Sequence, residues 1–138
     1  MNKPKKYWFC NMNYQWEKSV LKDCSFGVPD DKYAELENIK KVQNGDNLFL
    51  YVSGKNRRLL GMASVLKTAY KDLGGEWKGF SNRIGFNELI SISVPILFSQ
   101  FRQELFPKFN NNPGNALRGK SLILISDKDA GYLRSLFR

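Results

Sequence analysis

The apolar residues of this chain come in short runs, which sets the scale of anything it can fold into. The longest, Leu48-Phe49-Leu50-Tyr51-Val52 and Leu122-Ile123-Leu124-Ile125, hold five and four residues. Runs of that length between Gly, Asn and Pro suit strands, and a membrane span needs roughly 20 residues. The basic leader Met1-Asn2-Lys3-Pro4-Lys5-Lys6 is followed by no apolar stretch with a small-residue cleavage site, so it is not a secretory signal. A soluble, cytoplasmic chain with no membrane partner is the default. Its 138 residues, 42% of them hydrophobic, suit one domain over residues 1–138 built around its own core.

The order of elements follows from turn chemistry. Lys6 to Asn11 opens as an aromatic-rich strand, and Tyr14 to Lys22 has helical spacing with Trp16 and Val20 on one face. Gly27 and Pro29 mark Asp23 to Asp30 as a loop. Asp31 to Val42 reads as a second helix capped by Asp30-Asp31, and Asn44-Gly45 supplies the turn that ends it. Strands follow over Leu48–Ser53 and Leu59–Thr68, with Gly61 marking a bulge or a close backbone approach. Lys78–Leu89 alternates as a strand, with Phe80, Asn82, Ile84 and Phe86 on one side, and Ile90–Leu97 forms an edge around Pro95. A helix over Phe98–Phe106, a loop over Pro107–Gly119 and a strand over Lys120–Ile125 come next. Ser126-Asp127-Lys128-Asp129 is a capping-box start for a helix that carries Leu133, Leu136 and Phe137. About six mostly antiparallel strands with a few helices imply an α+β domain, a small closed or half-closed β-barrel flanked by helices.

Charge and missing residue types narrow the chemistry. Twenty-two Lys and Arg against 13 Asp and Glu give a formal charge of +9. Residues 1–69 carry 12 basic and 7 acidic side chains and residues 70–138 carry 10 and 6, so the excess is displayed over the whole surface. Such a surface favours polyanions, nucleic acid first among them. The chain has no histidine and only Cys10 and Cys24 as cysteines. Cys/His zinc sites, Ser-His-Asp triads and Cys-His dyads are therefore excluded, and two cysteines make no disulfide scaffold. No phosphate-cradling glycine loop and no paired-carboxylate motif is present. The sequence offers no catalytic residues, no metal ligands and no cofactor site. A binding domain is the remaining class.

Aromatic and basic residues interleave. Trp77 stands between Gly74-Gly75-Glu76 and Lys78-Gly79, and Phe26 between Ser25 and Gly27. Rings in such loops either cap the ends of a barrel or stack on a flat base, and the spacing leaves both uses open. Lys55, Arg57, Arg58, Lys78, Arg118 and Lys120 are candidates for phosphate contacts.

These residues resemble a known superfamily. Tyr7-Trp8, then Trp16, then Ser25-Phe26-Gly27-Val28-Pro29 look like the opening motifs of EVE domains. Gly45-Asp46, Leu48 to Val52 and Leu60-Gly61-Met62-Ala63-Ser64-Val65 follow the same order. Glu76-Trp77-Lys78-Gly79-Phe80 resembles a segment of the related YTH domains, and Gly119 to Ser126 looks like the end of both. The resemblance implies a PUA-like fold without catalytic activity that binds RNA or DNA and holds a modified base in an aromatic cage. It implies Phe26 and Trp77 as cage walls, with Asn11 and Asn13 meeting the base edge. Phe26 departs from the family's tryptophan, since a phenyl ring has no N–H and a smaller face.

Such domains also occur as N-terminal specificity modules of McrBC-type modification-dependent restriction systems. That likeness implies a DNA partner ahead of RNA and a GTPase motor C-terminal to this module. A stand-alone PUA-like RNA-binding protein is a second reading. A pocket for a small molecule or peptide, which would show no salt-dependent nucleic-acid binding, is a third.

Overall fold

Strand β1 (Tyr7–Asn13) explains the density of the early aromatic run, because both of its faces are covered. Trp8, Cys10 and Met12 enter one core and Phe9 enters a second on the opposite side. Strand β3 (Asn47–Ser53) runs parallel to it, with Trp8 opposite Leu48 and Met12 opposite Val52. It repeats the division, placing Leu48, Leu50 and Val52 in the first core and Phe49 and Tyr51 in the second. A strand buried on both faces requires an unbroken apolar run in place of alternation.

The computed structural model describes residues 5–54, 57–72, 79–87, 89–97 and 121–137. The remaining strands are β2 (Ser25–Val28), β4 (Arg58–Lys71), β5 (Asn82–Phe86), β6 (Ile90–Leu97) and β7 (Leu122–Ile125). One sheet runs in the order β2, β5, β4, β3, β1, β7, and β6 also pairs with β4. Every pairing except β1 with β3 is antiparallel. The helices are α1 (Glu17–Asp23), entered through a 3-10 turn at Tyr14–Trp16, α2 (Tyr33–Ile39) and α3 (Asp127–Ser135). Val20 and Ile39 seal the first core; Ala130 and Leu133 of α3, with Leu136 and Phe137, seal the second. Among the described residues no helix is long and apolar enough to cross a membrane.

The α+β architecture is as the sequence implies, but the sheet does not close into a barrel. Among the described residues β2 and β7 end it, each with one strand partner. At β7 a helix takes the place of a closing strand. The Glu35 carboxylate of α2 accepts hydrogen bonds from the Ser121 and Leu122 N–H groups at 3.2 and 3.0 Å. Asn38 Nδ2 donates to the Leu122 carbonyl at 3.4 Å. Side chains that satisfy an edge in this way remove the drive to add another strand.

Other departures are local. Ser25–Val28 is a strand with all four residues buried, where Gly27 and Pro29 suggest a loop. Helix α2 starts at Tyr33 with no side-chain cap, and Asp30 serves elsewhere. Its carboxylate accepts from Ser81 N, Ser81 Oγ and Asn82 Nδ2 at 2.8, 2.9 and 3.2 Å, tying the loop after β2 to the start of β5. The strand read over residues 78–89 is confined to Asn82–Phe86 among those described. Gly61 is both things its position suggests. The β4 pairings shift register beside it, and a Cβ there would overlap the Ile90 carbonyl oxygen of β6. Ser126 is the N-cap of α3, its Oγ accepting from Asp129 N at 3.1 Å, which is the first half of the capping box. Cys10 is fully buried, which pushes its thiol well above the ordinary value. The helix read over 98–106 and the loop over 107–119 lie outside the described residues.

Candidate functional site

Strand β1 leaves the core through two asparagines. Asn13 ends it, and its side chain accepts from the Gln15 N–H at 3.1 Å, capping the 3-10 turn. That cap bends the chain and sets Trp16, half-buried, at the head of α1. Four further segments converge on the same place: Phe26, Gly27, Pro29 and Lys32 around β2, Ser53 at the end of β3, Phe80 before β5 and Ser121 before β7. With Asn11, Met12, Asn13 and Trp16 they enclose a cavity of about 200 Å³. Pockets for drug-sized ligands hold roughly 300–1,000 Å³, so this one suits a single planar ring system.

The walls are held from behind. The Asn11 N–H donates to the Ser121 carbonyl at 2.8 Å, and Glu35 fixes Ser121 from its other side. Ser53 Oγ donates to the Met12 carbonyl at 3.2 Å. Arg83, a charged residue only 1% exposed, donates through Nε to the Phe80 carbonyl at 2.8 Å and pairs with Asp72 at 3.4 Å. Gly27 is needed where β2 crosses this group, because a Cβ would sit 3.0 Å from the Phe80 carbonyl oxygen and 3.1 Å from Arg83 Cγ. The rings of Trp16 and Phe80 are tilted by 59° with centroids 5.6 Å apart, near the edge-to-face arrangement that aromatic pairs favour.

Asn11, Asn13 and Phe26, read from the sequence as base contacts, thus line one cavity. Asn11 Oδ1 is fully buried. Phe26 is 1% exposed and belongs to the first core, so it forms the floor. Trp77 and the cations Lys55, Lys78, Arg118 and Lys120 lie outside the described residues. Arg57 and Arg58 do not line the cavity. Arg57 is exposed. Burial pushes the Tyr51 hydroxyl up to about 12, with the charge of Arg57 pulling it the other way. Arg58 makes an ion pair with Glu17, its Nη2 donating to both carboxylate oxygens at 2.7 and 2.9 Å. Trp16, Lys32, Ser53, Phe80 and Ser121 line the site without having been read as base contacts, since only the fold brings their segments together. Lys32 carries the one charge among the described lining residues. No cluster of Cys, Asp or Glu among the described residues could hold a metal ion.

This arrangement, a mixed sheet sealed by helices with a small ring-lined cavity at one end, defines a PUA-like binding domain. The EVE domain family matches residues 6–103, and the chain belongs to that family. Solved structures share the fold across nearly the whole length. Human THYN1, in complex with DNA containing 5-methylcytosine, superposes with a TM-score of 0.67 at 12% identity, covering 97% of this chain and 98% of that one. The YTH domain of Zygosaccharomyces rouxii MRB1, in complex with N6-methyladenosine RNA, gives 0.68 at 12% identity, over 99% and 90%. A hypothetical protein from Leishmania major gives 0.67 at 16% identity, over 96% and 95%. Among curated proteins none matches the sequence.

Proposed function

We propose that this EVE domain is a non-catalytic reader that takes one base of a nucleic acid, in modified form, into the cavity at the end of β1. The observation that carries the reading is the convergence of Asn11, Asn13 and Phe26 on a space sized for one ring system. Asparagine amides donate and accept at once, as the edge of a base requires. Phe26 supplies an apolar floor for a methyl group, and Trp77 a further wall. A methyl adds one small apolar contact, so discrimination against the unmodified base is limited to roughly 10–200-fold. Bases unstacked in single strands enter without the few kcal/mol that flipping from a duplex costs. Arg57 with Lys55, Lys78, Arg118 and Lys120 would follow the backbone and set register. The nucleic acids named with THYN1 and with the yeast YTH domain support the same class of ligand.

The finer reading makes this the DNA-recognition module of a modification-dependent restriction system, cytoplasmic and joined to a GTPase motor. Its support is the resemblance of the early motifs, and the genes and coding sequence adjoining residue 138 test it directly. The base-reading function is tested by titrating methylated and unmethylated DNA and RNA, single-stranded and duplex, at two salt concentrations. The expected result is tighter binding of one methylated single strand, with a negative dependence of log affinity on log salt. Equal affinity for every methylated and unmethylated probe would sink the reading. Trp77→Ala should weaken the methylated complex about 5- to 150-fold, the loss of one stacked face.

A further inference from the structure

Of the two rings offered as cage walls by the sequence, Phe26 is the one among the described residues. Phe26 is 1% exposed, so little of its ring surface is open to a ligand. Trp16 is half-buried, lines the same cavity and carries the largest aromatic face of any described residue there. Its position is over-determined. The Asn13 cap fixes the 3-10 turn before it, and Tyr14 of that turn lies against Gly54, where an added Cβ would come within 2.9 Å of the ring. Phe80 braces its ring from one side.

Glu17, the next residue in the chain, completes the fixation. Both oxygens of its carboxylate accept from Arg58 Nη2, and the two side chains are only 26% and 21% exposed. Arg58 lies opposite Val52 at the start of β4, beside Ser53 of the cavity rim. The pair therefore ties the head of α1 to the β3–β4 hairpin beside the site. A short charge-assisted pair of this kind restrains the two side chains against each other.

We infer that Trp16 is the stacking wall for the bound base and that Glu17 and Arg58 are positioning residues which aim it, Arg58 serving there and not on a phosphate. This rests on the base-reading proposal above and names a residue of that site. It assigns to Trp16 the face that a phenyl ring at position 26, smaller than a tryptophan and buried, does not present.

The test measures affinity for single-stranded DNA carrying 5-methylcytosine and single-stranded RNA carrying N6-methyladenosine, each at two salt concentrations. The proteins are the parent, Trp16→Leu, Trp16→Phe, Glu17→Gln, Arg58→Gln and the exchange Glu17→Arg with Arg58→Glu. Trp16→Leu should bind the better probe about 5- to 150-fold more weakly and Trp16→Phe should fall between it and the parent, with the salt slope unchanged in both. Glu17→Gln and Arg58→Gln should weaken binding alike, again at constant slope, and the exchanged pair should regain much of the loss. General destabilisation would not restore affinity on exchanging the charges, and circular dichroism checks that each variant is folded. A folded Trp16→Phe and Trp16→Leu that bind as the parent does would overturn the wall. A slope reduced by about one in Arg58→Gln, with tighter binding in Glu17→Gln, would make Arg58 a phosphate ligand and overturn the brace. A parent protein that binds neither probe removes the base-reading proposal itself.

Discussion

Asp46 gathers three donors on one carboxylate and so joins the start of β1 to the loop before β3. Its oxygens accept from Trp8 Nε1 at 3.1 Å, the Lys6 N–H at 3.1 Å and the Gln43 N–H at 2.9 Å, and the residue is 2% exposed. Gly45 before it takes a φ of +91°, which a side chain would strain. The Gly-Asp pair is thus the hinge that delivers the chain into β3 and satisfies a buried indole. Asp46→Ala leaves three donors behind, one of them buried, and should cost about 2–4 kcal/mol in urea unfolding. Two glycines give opposite predictions. Gly61→Ala pushes a methyl into the backbone of β6 and should cost at least ~1–3 kcal/mol. Gly131→Ala in α3 meets nothing within 4 Å and should gain roughly 0.5–1 kcal/mol in the same assay, by removing backbone freedom from the unfolded chain.

Among the elements, legibility in the sequence tracked how local the cause was. The β1 and β3 runs declared themselves, because burial on both faces leaves few polar positions until each strand nears its end. The start of α3 was equally plain, since Ser126 and Asp129 make their bond within one turn. Strand β2 was hidden. Its four residues sit between a left-handed Cys24 and Pro29, and its partner β5 is far along the chain. Asp30 was misread for a related reason: next to a helix, an aspartate looks like a cap, yet its partners here are Ser81 and Asn82. Slight burial pushes the Asp30 carboxyl up, but the hydrogen bonds from Ser81 and Asn82 together outweigh this and hold it below the ordinary carboxylate value. A carboxyl lowered in the folded state stabilises most above its unfolded value of about 4. That contribution fades as the pH drops through the lowered, folded-state value. Thermal melts from pH 6 downward should show a steeper acid loss in the parent than in Asp30→Asn, which lacks the titrating group. Parallel curves would mean that the Asp30 bonds contribute nothing.

At the scale of the molecule, the sequence announced a basic, histidine-free binding domain more clearly than it announced the site. Asn11, Asn13 and Phe26 were visible through the motifs around them, whereas Trp16 and Phe80 become neighbours only when α1 and the approach to β5 are folded onto one another. Barrel closure was over-read because counting strands says nothing about their edges, and Glu35 and Asn38 settle one edge from a helix. The place of β1 in the sheet has a consequence for how the chain acquires this shape. Tyr7 faces Ile125 on one side and Asn47 on the other, so the first strand formed is completed by almost the last one. Pairings that span so much sequence must close large loops before any contact rewards them, which makes for slow folding. While the chain emerges from the ribosome, β1 and β3 therefore present Phe9 and Phe49 uncovered until Leu133 and Phe137 arrive to shield them. Segment 1–97 on its own would expose that face of the sheet and should be prone to self-association.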